Sequence, residues 1–411
     1  MALRRGLVIL GCLLLSAASM RAQAQDEVKD GDTAAKEPKE LNFAGTPYLY
    51  TGPDTGFGVG FSIMFRDLLG KEGRDATFSM DYTQTRYSSF GVSWGEPYFL
   101  SENGRASFDI GYDNKPSIRF YGIGNDSRRN KICNWSWVMY NVQPQYIYRW
   151  PATDYGTFGL RARVGLTYVN PDDGDLKDKS DRKYYRTIKQ VFPDLYDSKE
   201  FDPTRLVNVG FTLYLDTRED RFPLGGGREE VVWPLKGTYT EIAYDRFDEG
   251  LGSDFSFNRL SVSLTQVLPI YKQDTILVLH QNLQINQGNV PFHQMANYGG
   301  GNSLRAFYSY RFIDKNATQF NVELRQGFLP DYELPVLNGL VKLKYPSIVL
   351  FWDEARVYHD YEDIADEMFE DYHYTWGFGF RFVVTPTIVI RLERAYSNEQ
   401  VTFAASASLP F

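Results

Sequence analysis

The sequence predicts an all-β chain, a sixteen-stranded antiparallel transmembrane β-barrel with one loop, between strands eleven and twelve, inserted into its lumen. Three observations carry this. First, the last eleven residues, VTFAASASLPF, alternate without a break: Val401, Phe403, Ala405, Ala407, Leu409 and Phe411 share one face, and Thr402, Ala404, Ser406, Ser408 and Pro410 share the other. A strand has period two, and a row ending on an exposed aromatic suits a face that meets lipid. Second, residues 1–24 read as a secretory signal peptide, with Arg4 and Arg5, the apolar run Gly6–Ala18 and a small-x-small site at Ala22-Gln23-Ala24. Third, 16% of the residues are aromatic, yet no stretch after residue 24 is long and apolar enough for a membrane helix. An exported chain of this kind can span a bilayer only as a closed barrel.

Charge and cysteine usage agree. Removing Arg4, Arg5 and Arg21 leaves 41 of the 44 basic residues against 52 acidic ones, a net charge of −11. That balance argues against nucleic acid and suits a cell-surface protein. Cys12 lies inside a continuing apolar run with too little before it for a lipid anchor, and Cys133 stands alone in the mature chain, so no internal disulfide forms.

Residues 25–45 are charged, without apolar period, and are expected as a short disordered periplasmic segment. The barrel domain is expected over 46–411. Its extended segments fall at 46–52, 57–66, 75–84, 88–99, 104–113, 134–150, 156–169, 204–216, 228–246, 254–270, 274–287, 316–328, 339–358, 373–384, 386–396 and 400–411. Several alternate cleanly. Phe158, Leu160, Ala162, Val164, Leu166 and Tyr168 oppose Gly159, Arg161, Arg163, Gly165 and Thr167. Tyr374, Trp376, Phe378, Phe380 and Phe382 oppose Thr375, Gly377, Gly379 and Arg381, and Ile388, Ile390 and Leu392 oppose Val389, Arg391 and Glu393. A soluble sandwich would bury the apolar rows. A barrel turns them to lipid and leaves Arg161, Arg163, Arg381, Arg391 and Glu393 in a wet lumen. Loop lengths alternate as a barrel requires: the four longest connections, 114–133, 170–203, 288–315 and 359–372, all fall on one rim.

The connection 288–315 holds Tyr298-Gly-Gly-Gly-Asn-Ser-Leu-Arg305-Ala-Phe-Tyr-Ser-Tyr-Arg311-Phe. Gly299, Gly300 and Gly301 permit bends closed to other residues, and the aromatic set around Phe307 carries too much apolar surface to wave in water. The segment is therefore expected to fold into the lumen. Strand twelve turns Asn321, Glu323 and Arg325 inward, and strand thirteen, Phe351-Trp352-Asp353, turns Asp353 inward. Arg305 beside Glu323 and Asp353 would form a charge-assisted clamp on the loop.

A Gly-rich run, a hydrophobic-Arg-Gly-aromatic step, a strand with Glu and a strand reading Phe-Trp-Asp together resemble the BamA-like bacterial surface antigen family, the outer-membrane assembly factor superfamily. The resemblance spans 46–411 and includes Phe120-Tyr-Gly-Ile-Gly-Asn125 and Asp216-Thr-Arg218. It implies that Arg305 is the arginine at the tip of the inward-folded loop and that Glu323 and Asp353 are its acidic wall partners. Two departures stand out. The motif glycine is Ala306, which would make the tip less sharply bent, and residues 25–45 are too short for even one POTRA domain, making this a short member lacking them. The resemblance also implies a weak lateral seam between the first and last strands, here Tyr48 and Tyr50 against Ala405, Ala407 and Phe411, with Ala405 and Ala407 turned to lipid.

The expected function is that of an assembly-factor-type barrel in the bacterial outer membrane, assisting insertion or translocation of protein (or lipid) through the seam. The alternative is a passive pore or a structural subunit of a larger outer-membrane complex. Expected partners are outer-membrane lipids, client outer-membrane proteins and a separate periplasmic or membrane protein. No cofactor, metal or enzyme activity is expected. The four histidines lack metal-ligand spacing, and no Gly-x-Ser-x-Gly or phosphate loop occurs. His280 and Asn282 near Ser261 and Ser263 offer only a faint echo of a membrane phospholipase.

Overall fold

The computed structural model describes residues 43–151, 156–174, 186–221, 233–272, 274–328, 333–336, 341–367, 370–385 and 388–407. Sixteen strands cross the barrel: β1 (Phe43–Gly52), β2 (Gly56–Arg66), β3 (Asp75–Thr83), β4 (Ser88–Pro97), β5 (Gly104–Phe120), β6 (Cys133–Arg149), β7 (Thr157–Asp173), β8 (Thr204–Asp216), β9 (Pro234–Phe247), β10 (Phe257–Tyr271), β11 (Thr275–Gly288), β12 (Asn316–Gly327), β13 (Val341–Tyr358), β14 (His373–Thr385), β15 (Ile388–Tyr396) and β16 (Val401–Ser406). Each pairs antiparallel with the next, and β16 meets β1 to close the sheet. Short pieces at Arg186–Thr187, Glu219–Asp220 and Glu333–Val336 add to the rims. The signal peptide, most of the segment 25–45 and Phe411 lie outside the described residues.

The faces are inverted relative to a soluble protein. Tyr374, Trp376, Phe378 and Phe380 are exposed, Trp376 at 47%, while Arg381 on the opposite face is 0% exposed. On β7, Phe158, Val164, Leu166 and Tyr168 face outward, and Arg161 and Arg163 reach inward to Glu241 at 3.1 Å and Asp245 at 2.5 Å on β9. Such alternation is what a lipid-facing wall demands.

Some boundaries differ from expectation. β1 begins at Phe43, three residues early. β5 runs on to Phe120 because its ladder shifts register between Lys115 and Ile118, around Pro116. Proline donates no ladder hydrogen bond, so a bulge there lets the strand continue. The third outer connection is accordingly shorter, 121–132.

The rim with the long connections, here the outer rim, is domed over. The β7–β8 connection carries α1 (Ile188–Val191), α2 (Pro193–Tyr196) and a 3₁₀ turn, Lys199–Phe201. Ile188, Phe201, Phe292, Trp135, Phe120 and Ile313 pack into one apolar cluster across that mouth. The Phe201 and Phe292 rings stack at 5.1 Å, and the Glu200 carboxylate accepts the Phe292 N–H at 2.6 Å. A smaller cluster at the opposite rim centres on Trp233 and Tyr345.

Candidate functional site

The β11–β12 connection turns back into the barrel. A 3₁₀ turn at Phe292–Gln294 leads to a short hairpin, Ala296–Tyr298 against Phe312–Asp314. Gly299 and Gly300 take φ of 128° and 90°, where a side chain is strained. A Cβ on Gly299 would sit 2.0 Å from the Tyr308 carbonyl oxygen, while one on Gly301 would meet nothing within 4 Å. Below these bends Leu304, Ala306 and Phe307 are fully buried, Ala306 against Phe351 and Ala395. Ala306, which stands at the position of the motif glycine, is not among the residues with positive φ, so its backbone is one that alanine adopts without strain.

Arg305 enters a dry ionic cluster. Its Nη2 lies 2.8 Å from Glu323 Oε1 on β12 and 3.1 Å from Asp353 Oδ1 on β13, and its Nη1 lies 3.4 Å from Glu393 Oε1 on β15. Its guanidinium also covers the Phe351 ring at 3.9 Å. Asp353 accepts further from Asn321 Nδ2 at 2.8 Å and Thr375 Oγ1 at 2.9 Å. Glu323 is shared with Arg325 at 2.6 Å and Arg381 at 2.5 Å, and Glu393 with Arg381 at 2.7 Å and Arg391 at 3.6 Å.

Sequence parity placed these side chains inward, but in a wet lumen. That expectation is corrected for Arg381, Arg391 and Glu393: the folded loop excludes water, and the three are 5% exposed or less. Arg161, beyond the loop, keeps 30% side-chain exposure. Buried ion clusters of this kind hold a conformation more surely than they add net stability, because desolvation offsets much of the attraction.

The returning limb of the loop, 308–311, is not legible as a site. Ser309 donates its N–H and hydroxyl to Asp54 Oδ2 at 2.9 and 2.8 Å, in the β1–β2 turn. Burial pushes the Asp54 carboxyl up, opposed by the nearby Arg119 guanidinium and by the Ser309 hydrogen bonds. Arg311 pairs with Glu399 of the β15–β16 turn at 2.6 Å and donates to Ser127 Oγ at 2.8 Å. Neither Asp54 nor Glu399 sits in an alternating run, so only the folded chain exposes the pairing.

The motif Phe120–Asn125 seats the third outer connection. Gly124 donates to the Ile313 carbonyl at 2.8 Å, and Asn125 joins the Val357 N–H and the Asp371 carbonyl. At the opposite rim Arg218 grips Asp216 through Nε and Nη2 at 2.9 and 2.8 Å. The register partner of His280 is Thr265, 2.9 Å from its Nδ1, while Ser263 faces Asn282 and Ser261 faces Gln284.

At the seam, β1 and β16 share one ladder pair among the described residues, Thr51 with Ala405. On its other edge β1 has ten register pairs with β2. Tyr48 and Tyr50 lie over Gly60 and Gly58 of β2, where any Cβ would clash with their rings, so they face the lumen. Ala405 shares outward parity with the exposed Val401 and Phe403, yet it is 0% exposed between its register partners Thr51 and Leu392. The expectation that Ala405 meets lipid is therefore corrected. Ala407 lies just past the end of β16 and is half-buried.

The fold has solved relatives. BamA from Haemophilus ducreyi lacking POTRA domains 1–3 superposes with a TM-score of 0.58 at 15% identity, covering 90% of this chain and 69% of that one. CdiB from Escherichia coli gives 0.60 at 11% identity, covering 93% and 67%. CdiB from Acinetobacter baumannii gives 0.53 at 12%, covering 89% of this chain and 59% of that one. No curated protein matches the sequence. The family model described as the Omp85 superfamily domain matches residues 68–402, most of the barrel, so the chain is an outer-membrane barrel that belongs to the Omp85 superfamily.

Proposed function

We propose that this barrel is an assembly factor that assists insertion or translocation of protein (or lipid) into or across the outer membrane through the seam between β1 and β16. The observation that carries the reading is the single described ladder pair at that closure, Thr51 with Ala405, in a barrel whose other neighbouring strands pair along most of their length. A sheet edge with few partners is a template for strand addition.

In this reading Arg305, Glu323 and Asp353, with Gly299–Gly301 and Phe307 shaping the loop, keep the lumen segment docked. Tyr48, Tyr50, Ala405, Ala407 and Phe411 belong to the gate. Partners are outer-membrane lipids, client barrel proteins and a separate periplasmic or membrane protein. The domed outer mouth and the docked loop speak against the passive-pore alternative.

The test is a reconstitution. The purified barrel is placed in phosphatidylethanolamine-containing vesicles, and the folding of an added, unfolded outer-membrane β-barrel polypeptide is followed by its heat-modifiable gel shift. Faster folding than in empty vesicles is the expected result. Folding no faster than in vesicles holding a porin of similar size would overturn the proposal.

A further inference from the structure

The returning limb of the lumen loop touches both sides of the seam. Ser309 holds the β1–β2 turn through Asp54, which is fixed from the barrel wall by Arg119 at 3.0 Å. Two residues on, Arg311 holds the β15–β16 turn through Glu399, with Nη2–Oε1 at 2.6 Å and Nε–Oε2 at 2.9 Å. The Arg311 guanidinium lies between two rings, 4.5 Å from Tyr121 and 4.4 Å from Phe312. Ser127 accepts from it twice, through Oγ at 2.8 Å and its carbonyl at 2.9 Å. This arginine is 3% exposed, so its geometry is fixed by packing rather than borrowed from solvent.

Neighbouring contacts tie the same segment to β16, to the turn before it and to β5. Thr402 on β16 donates to the Arg305 carbonyl at 2.9 Å, and Ser397 donates to the Ala306 carbonyl at 3.5 Å. Tyr308 lies under Arg119 at 3.8 Å. The described ladder pair of the seam, Thr51 with Ala405, lies next to these contacts at the outer end.

We infer that Ser309 and Arg311 form a latch that spans the seam at its outer rim, so that the seam opens from the inner rim about an outer hinge while the loop is docked. Among the described residues the backbone pairing at the closure is a single register pair, a weak hold on the outer ends of β1 and β16. The latch replaces ladder hydrogen bonds with charge-assisted ones made through a third element. Full separation of the two strands then requires the returning limb of the loop to leave its seat. This rests on the reading that the seam is the moving part. It predicts a geometric property that can be measured without any client.

The experiment places nitroxide labels at Thr55 and Asn398, in the two turns flanking the seam, in a Cys133→Ser background, and reads their separation by pulsed electron resonance in vesicles. The latched protein should give one narrow distance distribution. Asp54→Ala with Arg311→Ala should lengthen and broaden it by several ångström, with the barrel still heat-modifiable. Should that pair fail to fold, Asp54→Asn with Glu399→Gln keeps the side-chain shapes and should broaden it to a smaller extent. A distribution unchanged in the folded variants overturns the latch. A broadened distribution in a protein that fails the vesicle folding assay leaves the latch standing and removes only the assembly reading.

Discussion

Replacing Arg305 with alanine removes one guanidinium from three carboxylates, and the three are not equally affected. Glu323 keeps Arg325 and Arg381, and Glu393 keeps Arg381 and Arg391. Asp353, fully buried, loses its ion-pair partner and retains only Asn321 and Thr375 as side-chain donors. Breaking a buried pair costs about 3–5 kcal/mol, most of it from the charge left behind. With one orphaned carboxylate rather than three, the cost falls at the lower end, about 3 kcal/mol. That weakens loop docking on the order of a hundredfold, since about 1.4 kcal/mol is a factor of ten. The assay is limited proteolysis and hydrogen exchange over 289–315 in vesicles, with heat-modifiability reporting the barrel. Arg305→Ala should expose the loop and leave the barrel intact. Arg305→Ala with Asp353→Asn, which removes the stranded charge, should recover part of the protection. Equal protection in wild type and Arg305→Ala would refute the clamp. Equal exposure in the single and double variants would refute the assignment of the cost to Asp353.

The same proteolysis readout separates the glycines. Gly299→Ala should open the loop, because a Cβ there meets the Tyr308 carbonyl oxygen at 2.0 Å and φ is 128°, a strain of about 1–3 kcal/mol or more. Gly301→Ala, facing open space, should be silent. A second variable is pH. His293 lies in the apolar dome beside Phe292, and burial pushes its imidazole down from 6.5 to about 3. The opened segment takes up a proton near its ordinary value while the closed one does not. Its contribution is therefore complete above that ordinary value and is lost as pH falls, by about 2 kcal/mol at pH 5. Cleavage of the dome should rise between pH 7.5 and 5, and His293→Leu should flatten the rise. A rise that persists in His293→Leu would place the titration elsewhere.

How much was legible in the sequence follows from what each feature depends on. β8 was placed at 204–216, as observed, because Val207 to Leu215 alternate without Pro or a bulge. The segment expected at 104–113 falls short of the observed β5, because a register shift around Pro116 that alternation does not reveal lets the strand continue to Phe120. Parity alone turned Glu323, Arg325, Arg381 and Glu393 inward. It could not say that Arg381 on β14 would bridge Glu323 on β12 and Glu393 on β15, since that depends on the stagger between strands. It also gives the wrong surroundings for Ala405, which is 0% exposed although it shares the outward parity of the exposed Val401 and Phe403. Asp54, Ser309, Arg311 and Glu399 carry no periodic signal. They meet because a loop crosses the barrel mouth.

The central claim is that β1 and β16 must part. The most direct test joins them through the observed register pair, Thr51→Cys with Ala405→Cys in a Cys133→Ser background, in place of the Tyr50–Ala405 pair that the sequence suggests. Growth and outer-membrane protein content are then measured with the disulfide verified shut and again after reduction. The account predicts loss of both while the pair is oxidised and recovery on reduction. Full growth and a normal outer-membrane protein complement with the seam shut would contradict it.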